Sequence, residues 1–248
     1  MNILLTIAYD GTNYAGWQSQ KNAVTIQQRL EEGLLALLGK NIKVTGASRT
    51  DAGVHALGQR ASFVMDNMPI PLKKLPYAIN SHLPQDIRIQ AAQIVPDDFN
   101  PRFNAKAKTY RYQIYNAEIP NPMVSRYSAF VPQKLEVEAM VTTCNRLVGR
   151  HDFAAFCASG SSVKTTVRTI FACDVVQENE LVSINIIGDG FLYNMVRIIA
   201  GTAVYSGVGK ISANDIPEII ASCDRSKAGK TMPPQGLTLV EVMYDEKL

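Results

Sequence analysis

Hydrophobic and polar positions along the chain change period several times, and each change marks an element. Ile3, Leu5 and Ile7 alternate with Leu4, Thr6 and Ala8 before an Asp10-Gly11 turn, which predicts an opening strand. Over 24–38 the apolar residues Ile26, Leu30, Leu34, Leu37 and Leu38 recur at helical spacing with charges between them, predicting a helix. Strand-like runs follow at 42–45 and 60–65, joined by a long loop of small residues, then a proline-initiated helix over 71–82 and a strand over 87–95. The order repeats: a strand over 106–115, a helix over 135–148, strands over 167–176 and 181–187, a helix over 191–205 and a closing strand over 239–244, with an extra helix over 214–223 before it.

Each set is β-α-β-β-α-β, the ferredoxin-like arrangement. The expected fold class is α+β, with two such halves, 1–103 and 104–248, sharing an extended antiparallel sheet with a central cleft. At 248 residues, 46% hydrophobic and 19% charged, the chain can bury a large core and has a globular composition. A net charge of +3 permits a nucleic-acid partner without requiring one. Cys144, Cys157, Cys173 and Cys223 form no CxxC pair, so reduced structural thiols are expected. The start MNILLTIAYDG lacks a basic leader, and no run is long enough to span a membrane, so the expected location is the cytoplasm.

The chemistry narrows by residue type. His55, His82 and His151 are isolated, which argues against a metal site, and no organic cofactor motif is present: there is no P-loop and no strand-borne GxGxxG. GxSxG is absent too. The loop GASRTDAGVHALGQ sets Arg49 two residues from Asp51, among small residues. Asp51 reads either as a turn aspartate capping local amides or as a carboxylate held on a functional loop. Arg197 lies in FLYNMVRIIAGTAVY, a stretch apolar nearly all round; its guanidinium must reach solvent or meet a carboxylate, and Asp51 is the economical partner. In AKAKTYRYQIY, Lys106, Lys108, Tyr110 and Tyr112 share one strand face, and Arg111 and Tyr115 the other. The first face is either an RNA platform of cations and flat rings or a row of tyrosines packed on a helix. The segment CASGSSVKTTVR, with Lys164 and Arg168, is a solvated loop or one that closes on a phosphate backbone.

The segments YDGTNYAGWQ, GASRTDAGVHALGQ, VPDDFNPRF with AKTYRYQIY, FLYNMVRIIAG and MPPQGLTL together resemble the tRNA pseudouridine synthase A family, collinearly and over essentially the whole chain. The resemblance implies a pseudouridine-synthase catalytic fold, usually assembled as a homodimer, that isomerises uridine to pseudouridine at tRNA positions 38, 39 and 40 in the anticodon stem-loop without metal or cofactor. Carried over by motif, Asp51 is the catalytic carboxylate, Tyr110 stacks on the target uracil, Arg197 pairs with the carboxylate, and Arg49 enters the stem as the base is extruded. Lys106, Lys108, Arg111, Lys164 and Arg168 are candidate RNA contacts. Thr109 and Ser19 stand where the family often carries basic residues, which removes one or two phosphate contacts if those residues serve as such. Competing readings are a pseudouridine synthase acting on another RNA or tRNA position, a non-catalytic tRNA-binding protein, and an unrelated hydrolase using Asp51 as base.

Overall fold

The computed structural model describes residues 1–160 and 163–245. The chain forms two compact units: Met1–Lys106 with residues 239–245, and Ala107–Thr238. Ser161 and Ser162 of the predicted 157–168 loop lie outside the described residues.

In the first unit, β1 (Asn2–Tyr9) is followed by α1 (Ile26–Leu38), a two-residue β2 (Thr45–Gly46), β3 (His55–Val64), α2 (Leu75–Asn80) and β4 (Ile87–Val95). β1 pairs antiparallel with both β3 and β4. β2 touches β3 only at Thr45↔Ser62 and Gly46↔Ala61. The final strand β10 (Leu237–Met243) lies next to β3, where Gly58 lets the backbones close: a Cβ on Gly58 would stand 2.4 Å from the Val240 carbonyl oxygen. Because β1 is central, both its faces are covered. Ile3, Leu4, Leu5 and Ile7 are all buried, Leu4 against Val95, Phe99 and Tyr244. α1 starts where the Thr25 side chain accepts from the Gln28 N–H, and stops at Gly39, whose φ of 65° lies in the left-handed region that favours glycine.

In the second unit, β5 (Ala107–Asn116) carries a short parallel partner, β6 (Ala129–Val131). After α3 (Val137–Arg146) come β7 (Gly149–Asp152), β8 (Val167–Glu178) and β9 (Leu181–Gly188), paired antiparallel in the order β5-β9-β8-β7. α4 (Met195–Gly207) and α5 (Ile216–Ser222) follow. α4 starts four residues later than its apolar pattern, because Asn194 sits at φ 59°, outside the helical region. Nearly all of α4 is buried, and the Thr143 hydroxyl on α3 lies 2.7 Å from that of Ser206 on α4. No helix among the described residues is long and apolar enough to cross a membrane.

Candidate functional site

The loop bearing Asp51 is positioned by the chain leaving β1. Tyr9, at the end of β1, pairs with Ala56 in β3, so the segment after Tyr9 runs beside the segment entering β3. Two glycines then let main chain meet main chain. A Cβ on Gly11 would stand 2.0 Å from the Val54 oxygen, and one on Gly16, at φ +91°, 2.5 Å from the Thr50 oxygen. Neither position admits a side chain without displacing the loop. The Trp17 N–H donates to the Thr50 carbonyl at 3.0 Å, and the Gly53 N–H to the Tyr14 carbonyl at 3.2 Å. The Val54 N–H donates to the Asp51 carbonyl at 3.2 Å, and the buried hydroxyls of Tyr9 and Thr50 lie 2.7 Å apart.

His55 locks the base of this loop. Its Nδ1 lies 3.1 Å from the Gly11 main-chain nitrogen, fixing the ring against the chain that leaves β1. The Asp10 carboxylate stands 3.2 Å from the same nitrogen and also accepts from the Thr12 N–H at 3.0 Å and its hydroxyl at 2.6 Å. The outcome is a carboxylate-bearing residue whose main chain is fixed on both sides. Asp51 is half-buried, while the adjoining Arg49 is exposed. Among the described residues no three His, Cys, Asp or Glu side chains converge as metal ligands.

In the second unit, α4 orients Arg197. Its Nε donates to the Met232 carbonyl at 2.7 Å and its Nη1 to Asn194 Oδ1 at 2.7 Å, while the Met232 N–H returns a bond to the Arg197 carbonyl at 3.2 Å. The half-buried guanidinium is thus held from two directions. Tyr112, fully buried, donates its hydroxyl to the Pro233 carbonyl at 2.7 Å. Burial pushes the Tyr112 phenol up from its ordinary value, and the nearby Arg197 charge partly opposes this.

Tyr110 lies opposite Ile186 in β9, 5% exposed, with Phe191 packed edge-on at 5.1 Å and 83°. The strand face bearing Tyr110 and Tyr112 is therefore an inward one, so of the two readings left open for this face, packing holds for Tyr112. Lys108 is half-buried and Lys106 exposed, the latter 3.2 Å from Asp245. Arg111 belongs to a polar row across three strands: its Nε donates to Asn185 Oδ1 at 3.0 Å, and Asn185 Nδ2 donates to Asp174 at 2.9 Å. Lys164 is exposed, and Arg168 Nη1 donates to the Thr165 and Val167 carbonyls at 3.0 and 2.6 Å.

Asp51 and Arg49 thus share one loop of the first unit, Tyr110 and Arg197 neighbouring elements of the second. Sequence reasoning missed the residues that hold them: Tyr9, Gly11, Gly16 and Thr50 around Asp51, and Asn194 and Met232 around Arg197. The signal available was two glycines spaced within YDGTNYAGW, but its partner loop lies some forty residues away.

Residues 5–104 and 143–245 match the family model described as tRNA pseudouridine synthase. The tRNA pseudouridine synthase A of Acetivibrio thermocellus is 50% identical over 243 residues, covering 98% of this chain and 99% of that protein. The protein of the same name from Ruminiclostridium cellulolyticum is 51% identical with the same coverage. That of Citrifermentans bemidjiense is 47% identical over 248 residues, covering 99% and 98%. Matches of this extent, on a chain with this α+β architecture, show that the chain belongs to the tRNA pseudouridine synthase family of isomerases.

Proposed function

We propose that this enzyme isomerises uridine to pseudouridine at positions 38, 39 and 40 of the tRNA anticodon stem-loop, with Asp51 as the catalytic carboxylate. The observation that carries the reading is the loop around Asp51: main chain fixed at Thr50, Gly53 and Val54, carboxylate half-buried, and a cationic side chain left exposed two residues away.

The reaction breaks the bond from ribose C1′ to N1, turns the uracil, joins C1′ to C5, releases the C5 proton and leaves N1 carrying a proton taken from solvent, so the RNA product is an isomer of the substrate. A stacked base cannot turn, and unstacking it costs a few kcal/mol. In this reading Arg49 fills the space the base leaves, and the small residues around it let the RNA backbone approach. Arg197, oriented by Met232 and Asn194, supplies the cation that keeps the Asp51 carboxylate ionised and aimed. Tyr110, its ring plane fixed by Phe191, stacks on the extruded uracil, and its hydroxyl or a water takes the C5 proton. Lys106, Lys108, Arg111, Lys164 and Arg168 contribute phosphate contacts, and two copies of the chain form a homodimer that holds one tRNA. The substrate places the enzyme in the cytoplasm.

Tritium release tests the reading. A tRNA transcript labelled at uracil C5 and carrying uridine at 38, 39 and 40 should lose label to water with the wild-type enzyme and not with Asp51→Ala. Equal release by both proteins overturns the role of Asp51.

A further inference from the structure

The second unit carries a basic, aromatic-walled cavity of about 460 Å³ at the C-terminal end of α4. Lys134, Lys210 and Lys230 supply its charge, Tyr205 and Phe130 its flat surfaces, and no acidic residue is among the described residues that line it. Tyr205 is eight residues beyond Arg197 on the same helix, about 12 Å along its axis at 1.5 Å per residue.

The ordinary role for lysines at a helix C-terminus is to neutralise the exposed carbonyls. Those carbonyls are already satisfied by main chain. Val204 accepts from the Val208 N–H at 3.0 Å, and Ser206 from the Gly209 N–H at 3.0 Å. Tyr205 accepts from the N–H groups of Lys210 and Ile211 at 2.8 and 3.3 Å, and Gly207 from the Glu136 N–H at 2.8 Å. Nor are the ammonium groups consumed by buried acids. Lys210 stands over the Tyr205 ring, 5.2 Å from its centroid, and Lys134 reaches Glu136 at 3.3 Å, with the side chains of that pair largely exposed. Such an exposed pair is worth little.

The position of Lys230 is built into the fold. The segment before it crosses α4 at Gly201, where a Cβ would stand 1.8 Å from the Lys230 carbonyl oxygen, and the Gly229 N–H donates to the Thr202 hydroxyl at 2.9 Å. A side chain at either glycine would push Lys230 off the helix.

We propose that this cavity is an RNA-docking site, taking a ribose-phosphate stretch of the substrate tRNA away from the reacting nucleotide. The lysines meet phosphate oxygens, and Tyr205 and Phe130 line the wall against which a ribose or base rests. The proposal rests on the reading of tRNA as substrate.

The test measures tRNA binding by fluorescence anisotropy against salt for wild type, Lys210→Ala/Lys230→Ala and Lys210→Arg/Lys230→Arg, all of full length. The alanine variant should bind roughly tenfold more weakly at 0.1 M salt, and its slope of log affinity against log salt should be shallower by about 1.5. The arginine variant should restore both, and kcat at saturating tRNA should stay at the wild-type value. An alanine variant with wild-type affinity and slope overturns the proposal. So does one that keeps tRNA affinity but loses a thermal shift given to wild type by uridine monophosphate, which assigns the cavity to a free nucleotide. A change in solution mass between wild type and variant assigns the lysines to assembly and overturns it equally. If wild type binds tRNA through these lysines but releases no C5 tritium, the activity reading fails while the docking site stands.

Discussion

Gly16 rests directly on the main chain of Thr50, so close that a methyl group on Gly16 would stand 2.5 Å from the Thr50 carbonyl oxygen. The residue after Thr50 is Asp51. Whatever occupies position 16 therefore sets where the carboxylate stands.

Gly16→Ala meets both that close approach and a φ of +91°. We expect kcat to fall on the order of a hundredfold, since a displacement near 1 Å in a catalytic group costs about that much. Stability should drop by about 1–3 kcal/mol, measured by denaturant unfolding. A variant with wild-type kcat would show that the glycine does not govern the placement of Asp51.

Thr50→Val removes one partner of the buried Tyr9 hydroxyl, 2.7 Å away, while keeping the shape of the side chain. The loss should be about 1–2 kcal/mol of unfolding free energy. Because the loop keeps its Trp17 and Tyr14 tethers, kcat should fall by less than in Gly16→Ala. The comparison separates hydroxyl bonding from backbone approach.

Arg197→Lys retains the charge but not the fork that donates both to Met232 and to Asn194. Activity on tRNA should fall by about two orders of magnitude, with unfolding free energy reduced by no more than about 2 kcal/mol. Arg197→Ala should be worse for activity than for folding in the same sense. Equal losses of both would mean that Arg197 serves the fold rather than the carboxylate.

The pH dependence of stability should carry the mark of Tyr112. Its folded-state pKa is raised from the ordinary 10.0 by burial, so the folded chain retains a proton that the unfolded chain releases above that pH. Stability from this group is fully present below pH 10 and declines as pH rises beyond it, by about 1.4 kcal/mol per pH unit. Tyr112→Phe should be less stable at neutral pH, having lost the bond to Pro233, yet show a flatter decline above pH 10 in urea titrations. An unchanged slope would contradict this assignment.

Elements with a complete local signal were legible in the sequence. α1 shows its apolar spacing, its Thr25 start and its Gly39 stop within one window, and the structure places it over Ile26–Leu38 against an expected 24–38. α4 was legible in type but not in its start, because a single asparagine at positive φ overrides a run of apolar residues. β7, Gly149–Asp152, left no apolar pattern at all; pairing to β8 makes it a strand. The alternation in β5 correctly put Tyr110 and Tyr112 on one face, but alternation cannot say which face is inward, and this one is. Asp51, Arg49, Tyr110 and Arg197 could be named from their motifs. The groups that hold Asp51 could not, since their contacts depend on β1 and β3 lying side by side.

The most direct test is site-by-site mapping of pseudouridine, by carbodiimide-blocked primer extension, on tRNA transcripts with uridine at 38, 39 and 40 after incubation with wild type or Asp51→Asn. Product is expected at those positions from wild type and none from Asp51→Asn, with both proteins binding tRNA equally. Product from Asp51→Asn at the wild-type rate would contradict the catalytic assignment, and product only at other positions would contradict the proposed substrate.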